Sequence, residues 1–305
     1  MKANDVYRET IKFVWMKLAL GACAILFSVV LGLLLLGISA LSQNEGVIAF
    51  SLMLWIGASA GGVGVTQYYI GYLLKAGHIA VVTHLVKTGS LPEDQFAYGK
   101  QVVKEKFATA AAYFAVDRLV SGAVRQINRT LNIVGGFLEN IPGMESLVSF
   151  ARTFIDIALG NLDECCMAYT FYHADQSSFK SAADGVVIYF QNWKTILKDA
   201  LKTAVIVVVI SGIAWFLLMF GIVGILGVLG VPGILGLLAA LVLTVMIMMI
   251  IKSSVMDSYI MVCMVCSYLQ VAPTTEITFD LYDKLCKLSS KFKTLLQKAG
   301  EAGAM

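Results

Sequence analysis

Charge is what this chain has least of. Of its 305 residues 14% are Asp, Glu, Lys or Arg, against 58% that are hydrophobic. Soluble domains carry roughly a quarter charged residues, so an ordinary water-soluble protein is excluded. The formal net charge is only +3 and is spread along the chain, so there is no basic stripe of the kind that holds nucleic acid. Histidine is scarce too. His78, His84 and His173 make no H-x-x-x-H or HExxH pattern, and His78 and His84, six apart, do not share a helix face. The six cysteines give one C-x-x-C, Cys263 to Cys266, without a second pair or a nearby histidine, so no zinc site is expected. Cys23, Cys165, Cys166 and Cys286 read in the same way, as reduced residues that pack helices. There is no P-loop, and no serine lies at a recognisable spacing from a histidine base. These absences predict no catalytic residue, no cofactor and no metal, and the chain is read as not an enzyme.

Long apolar runs are present instead. Between Lys202 and Lys252 there is no charged residue. At 1.5 Å per residue that stretch crosses a bilayer twice, turning in the glycine-rich GVLGVPG around Pro232. Phe13 to Leu41 and Gly46 to Leu74 form an earlier pair, joined by Ser42-Gln43-Asn44-Glu45. The first run continues about 24 residues past Lys17, longer than the roughly 7–15 residues of a signal-peptide core, so an uncleaved span is expected. Lys17 sits near the end of that span, beside Trp15, where it can snorkel to the headgroups.

The positions of the cations orient the spans. All 23 lysines and arginines fall at the N-terminus, between Lys75 and Lys202, or from Lys252 onward, and neither tight turn contains one. The positive-inside rule then places both termini and the middle region in the cytosol and both turns outside. The expectation is an all-α, multi-pass integral membrane protein with two transmembrane hairpins, four spans, and amphipathic cytosolic or interfacial helices between and after them. Its segments are 1–74 (an amphipathic lead and the first hairpin), 75–202 (the helical cytosolic region), 203–252 (the second hairpin) and 253–305 (an apolar helical extension and a basic amphipathic tail).

Within 75–202 there are 13 basic and 12 acidic residues. Ser90-Leu91-Pro92-Glu93 reads as a helix start with serine as cap. Val120, Val124, Ile127, Leu131, Val134, Leu138 and Ile141 recur at alternating four and three, a helical stripe that ends at Ile141-Pro142-Gly143. Glu145 to His173 reads as a further helix, and its Arg152, Asp156, Asp163 and Glu164 argue for the cytosol or the interface rather than a span. Phe179 to Lys202 is the last helix before the second hairpin. The tail, Thr275 to Lys298, carries Ile277, Leu281, Leu285, Leu288, Phe292 and Leu295 on one side and lysines mostly elsewhere. That pattern suits either an anionic membrane surface or the middle region.

The run NLDECCMAYTFYHADQSSFKSAADGVVIYFQNWKTILKDALKTAVIVVVISG, Asn161 to Gly212, is similar to the C-terminal part of choline transporter-like proteins. Asn161, Ser181-Ala182, Gln191-Asn192, the paired span at Thr203–Lys252, the run SYIMVCMVCSYL and the lysine-rich tail from Tyr282 carry the resemblance. It covers about half of the chain and implies transport of a small organic cation. That family has around ten spans and an extracellular domain, whereas four spans are counted here.

The candidate site residues are polar or aromatic groups in or beside the apolar layer. Asp257, five residues past Lys252, is bordered by apolar helix on both sides, so it is read either as a cation or proton site or as a carboxylate paired with Lys252. Trp55, Tyr68, Tyr69 and Trp215 are read as a cage for a quaternary ammonium or as an interfacial belt. Gly57, Gly61 and Gly64 offer a small-residue face for helix packing. Two functions follow. One is an oligomeric permease or channel-like protein of the cell membrane for a choline-like cation or an amphiphile. The other is a non-transporting, homo-oligomeric scaffold that shapes the membrane with helices on its cytosolic face. The expected partners are the lipid bilayer and further copies of the chain, and not nucleic acid.

Overall fold

The computed structural model describes residues 1–42, 44–66, 71–107, 115–127, 129, 160–173, 175–230 and 233–303, and every regular element among them is helical. In order they are α1 (Ala3–Glu9), α2 (Ile11–Ser42), α3 (Glu45–Thr66), α4 (Tyr72–Thr88) and α5 (Gln95–Phe107). After α6 (115–127) come α7 (Leu162–Tyr172), α8 (Ser178–Val228) and α9 (Gly233–Ile251). A π-helical turn (Lys252–Met256) leads into α10 (Asp257–Val271), followed by α11 (Phe279–Leu288) and α12 (Ser290–Gly303). Four stretches are long and apolar enough to cross a membrane: Ile11–Ser39, Glu45–Gly62, Val205–Val228 and Gly236–Thr274.

The polypeptide gathers into two compact units. The first comprises Met1–Thr10, Ala76–Ala204 and Ile260–Met305, and the second comprises Ile11–Lys75 and Val205–Tyr259. Residues 253–259, grouped in the sequence with the C-terminal extension, thus belong with the second unit.

The second unit wears its apolar residues on the outside. Leu26, Leu33, Phe50, Met53, Leu217 and Phe220 are each more than half exposed, and no described side chain from 205 to 230 is buried. At about 25 cal/mol per Å² of apolar surface, water would not tolerate such an exterior. Inside, α2 packs on both α3 and α9. Its contacts with α3 run antiparallel: Ser28 meets Ser59 at 2.6 Å, Ser39 meets Ser51 at 2.6 Å, and Gly32 lies under the Trp55 indole. Along the same stripe, toward the start of α2, Gly21 lies under the Ile250 side chain of α9, and Ser28 Oγ also reaches Met246 Sδ at 3.6 Å. α8 ends in a turn at Gly230, whose φ of 76° only glycine adopts without strain.

The first unit is built the opposite way round, with its apolar residues inside. From Met261 to Leu269 nearly every side chain of α10 is buried, so this helix is apolar on all sides because it is surrounded by protein. The same holds for 76–83 on α4, where Gly99 of α5 crosses so closely that a Cβ there would stand 2.8 Å from the Gly77 carbonyl oxygen. α7 meets α8 where Gly185 lies against the Cys166 backbone, 3.1 Å from the place a Cβ would take.

Three expectations change. α5 starts at Gln95, not Ser90: the carboxylate of Asp94 accepts from the backbone N–H of Phe96 (2.9 Å) and Ala97 (3.0 Å), and Ser90 bonds Thr88 instead. Phe179–Lys202 and the apolar run after it, expected as separate segments, form one uninterrupted helix, the 51 residues of α8. The tail is two helices, broken at Ser289, whose hydroxyl accepts from the Phe292 N–H and so caps α12. Its apolar face, with Tyr282, Leu285, Phe292 and Leu295, is buried in the first unit. The described part of the Val120 stripe is buried as well. The stripe beyond Ile127, the Ile141-Pro142-Gly143 stop, residues 145–159 and the turn at Pro232 lie outside the described residues.

Candidate functional site

Asp257 follows the π turn. An i→i+5 turn brings residues five apart onto nearly the same face, which an α-helical turn would not do. Accordingly Lys252 Nζ donates to both carboxylate oxygens of Asp257, at 2.9 and 3.0 Å. The carboxylate therefore has a lysine partner, and a solute cation binding there would have to displace it. Around the turn, Lys17 Nζ donates to Ser258 Oγ at 2.8 Å and Ser253 Oγ to the Ile250 carbonyl at 3.2 Å. Ser254 is fully buried, and its hydroxyl has no partner among the described residues.

The aromatic candidates do not converge on Asp257 through any described contact. Trp55 is buried between α3 and α2, its indole N–H donating to the Ser28 carbonyl at 2.8 Å with Ser28 Oγ at 3.2 Å. Trp215 is half-buried and packs edge-on against Phe216. Tyr68 and Tyr69 lie outside the described residues. An added Cβ at Gly57 or Gly61 would meet nothing within 4 Å, while the Gly64 side lies outside the description. Among the described residues of the second unit, the close approaches between helices are made at Gly21 and Gly32 of α2, not at Gly57 or Gly61. An apolar groove of about 430 Å³ runs along α8 past Ala214, Leu217, Gly221 and Ile225 to Ile251.

The first unit holds a polar cluster that sequence reasoning passed over. Asp184 on α8 is buried, and its carboxylate accepts from the Tyr282 hydroxyl, from Lys180 Nζ, and from Gln176 Nε2 at 2.7 Å. Lys180 Nζ also reaches the Tyr282 oxygen at 3.1 Å, and Ser181 Oγ holds the other end of Gln176. The chain between α7 and α8 is fixed from α5: Lys106 Nζ donates to the carbonyls of His173 and Gln176, both at 2.6 Å. Two sequence signals were available, an acid among the small residues of SAADG and a lysine four positions before it.

Burial sets the protonation states here. It pushes the Tyr282 hydroxyl up, helped by the hydrogen bond and charge of Asp184, so Tyr282 keeps its proton and donates it. Tyr169 is pushed up to about 12, mainly by burial and then by Asp184 and Asp175. His173, its ring tilted at 45° against Tyr169 with centroids 4.4 Å apart, is held below its ordinary value by burial, with Asp175 opposing. Burial also raises Cys165 and Cys166 well above a free thiol, so both stay protonated and unreactive. The cavity between Asp117, Asp163, Cys166, Thr170 and Ala182 is about 10 Å³, enough for one water and no organic substrate. The cluster joins α11 to α8, and it presents no open site.

No family model, curated protein or solved structure matches the chain.

Proposed function

We propose that the chain is a polytopic protein of the cell membrane, crossing it four times as two antiparallel pairs, with both termini and the first unit in the cytosol, and that it serves as a non-transporting, homo-oligomeric scaffold. The observation that carries this reading is how the second unit spends its polar side chains. Ser28, Ser39, Ser51, Ser59 and Trp55 are consumed in the α2–α3 seam, Lys17 is bonded to Ser258, and Lys252 is paired with Asp257. A solute pathway needs polar groups turned toward a cavity. Here they face neighbouring helices. The unburied length of α8 from 205 to 228 supports assembly, because it leaves a whole helix side for another copy.

The test is reconstitution of the purified chain. Uptake of labelled choline into proteoliposomes equal to that of empty liposomes, together with a large ring or lattice in micrographs, is the expected result. Saturable uptake would end the scaffold reading. The permease reading keeps one specific support: the buried, unpartnered Ser254 hydroxyl within the π turn beside Asp257, a kind of helix irregularity often found at functional sites. The resemblance to choline transporter-like proteins points the same way. If that reading holds, Asp257→Asn abolishes the uptake.

A further inference from the structure

Arg118, Arg125 and Arg129 stand seven and four residues apart, so they occupy one helical face, and all three are exposed. Gly122 lies on the same face between the first two. Having no side chain, it leaves room for the stem of Lys291, whose Cγ is 3.2 Å from where a Cβ would be. Gln126 fixes the second helix in place. Its Oε1 accepts from Ser289 Oγ at 2.7 Å and from the Lys291 backbone N–H at 3.1 Å, and its Nε2 donates to Ser290 Oγ at 3.1 Å. Two helices far apart in sequence thus bring four cations to one patch. The acids of these helices are elsewhere. Asp117 lines the small cavity with Asp163, and Glu301 is ten residues along α12 from Lys291, about 15 Å away.

We infer that this patch is a docking surface for anionic lipid headgroups. A bilayer is the partner of choice because the unit that carries the patch is tethered to four apolar helices, and the cytosolic leaflet toward which the charge asymmetry points is anionic. Most of the apolar face of α11–α12, Leu288 excepted, is already buried in protein, so attraction rests chiefly on charge and falls with salt. The inference depends on the membrane reading but not on the scaffold.

The full chain is placed in phosphatidylcholine nanodiscs and titrated with phosphatidylcholine vesicles with and without phosphatidylserine. Incorporation into the discs checks the membrane reading separately. Binding only to the phosphatidylserine vesicles, lost at high salt and reduced on the order of a hundredfold in R125Q/R129Q/K291Q, is the expected result. The charge-preserving R125K/R129K/K291R chain should bind like the parent, which separates lost charge from lost fold. Equal binding to both vesicles, an unaltered triple-glutamine variant, full displacement by submillimolar inorganic phosphate, or tighter binding to homopolymeric RNA than to vesicles would each overturn it.

Discussion

Replacing Gly99 by alanine adds one methyl group where two helices cross backbone to backbone. The new Cβ would stand 2.8 Å from the Gly77 carbonyl oxygen, 2.9 Å from its Cα and 3.1 Å from its carbonyl carbon. These are main-chain atoms of a helix whose neighbours Ala76, His78 and Ile79 are fully buried, so no flexible side chain can step aside. To regain ordinary contact, α4 and α5 must part by roughly half an ångström. Overpacking of this kind costs about 1–3 kcal/mol, and with two main-chain atoms closer than 3.0 Å this case falls in the upper part, about 2–3 kcal/mol. The better helix propensity of alanine returns about 1 kcal/mol, leaving a net loss of roughly 1–2 kcal/mol. Gly300, on α12, has nothing within 4 Å, so the same change there should be neutral or stabilising by up to about 1 kcal/mol. The measurement is thermal unfolding of the detergent-solubilised chain, followed by dye labelling of the buried thiols of Cys165, Cys166, Cys263 and Cys266, with the accessible Cys23 and Cys286 replaced by serine. For a unit of this size Gly99→Ala should lower Tm by about 2–8 °C, with Gly300→Ala at or above the parent. A Gly99→Ala protein as stable as the parent would refute the close crossing and the reasoning built on it.

Four further outcomes are expected. Tyr282→Phe removes one donor from a buried carboxylate that keeps Lys180 and Gln176, and should cost about 1.5–3 kcal/mol in the same melt; combined with Lys180→Met the losses should not add, because both groups share Asp184. On the alkaline side, Tyr169 and Tyr282 hold their protons in the folded state where the unfolded chain loses them, so their contribution is complete below pH 10 and is lost as pH rises, for Tyr169 over the window from 10 to about 12; Tyr282→Phe should shallow this fall in a stability-against-pH series. His173, held low, contributes stability above about pH 6.5 that is lost on acidification through its folded value, and His173→Gln should remove that acid limb. In the second unit, Trp55→Phe gives up the bond to the Ser28 carbonyl and should cost about 1 kcal/mol, whereas Trp215→Phe should change stability by less than about 0.5 kcal/mol, both read by denaturation in mixed micelles.

The four long apolar helices were legible because length and composition alone mark them. The two ends of that signal were harder to read. Residues after Tyr259 are as apolar as a span, yet they form the centre of the first unit, since a helix enclosed by protein and one enclosed by lipid have the same composition. The small-residue face of Gly57 and Gly61 reads as a contact face, but a Cβ at either would meet nothing within 4 Å, and the close approaches fall at isolated glycines such as Gly21, Gly99 and Gly185. Which glycine is crowded depends on what crosses it, and that is not local information. The Asp184 cluster draws on residues up to about a hundred positions apart, so only its Lys180 partner could be read from spacing. The pairing of Lys252 with Asp257 depends on a π turn that no periodicity announces.

The two hydroxyl pairs between α2 and α3 have a consequence for the apolar pair as a whole. Hydrocarbon surfaces slide and rotate past one another with little penalty, and lipid tails offer no preference among the outcomes. Ser28 with Ser59, Ser39 with Ser51, and the Trp55 indole on the Ser28 carbonyl are all met at a single alignment. A shift of one residue would strand every one of these groups in oil at once. Three polar contacts thus act like the teeth of a key, selecting one mating of two otherwise featureless rods.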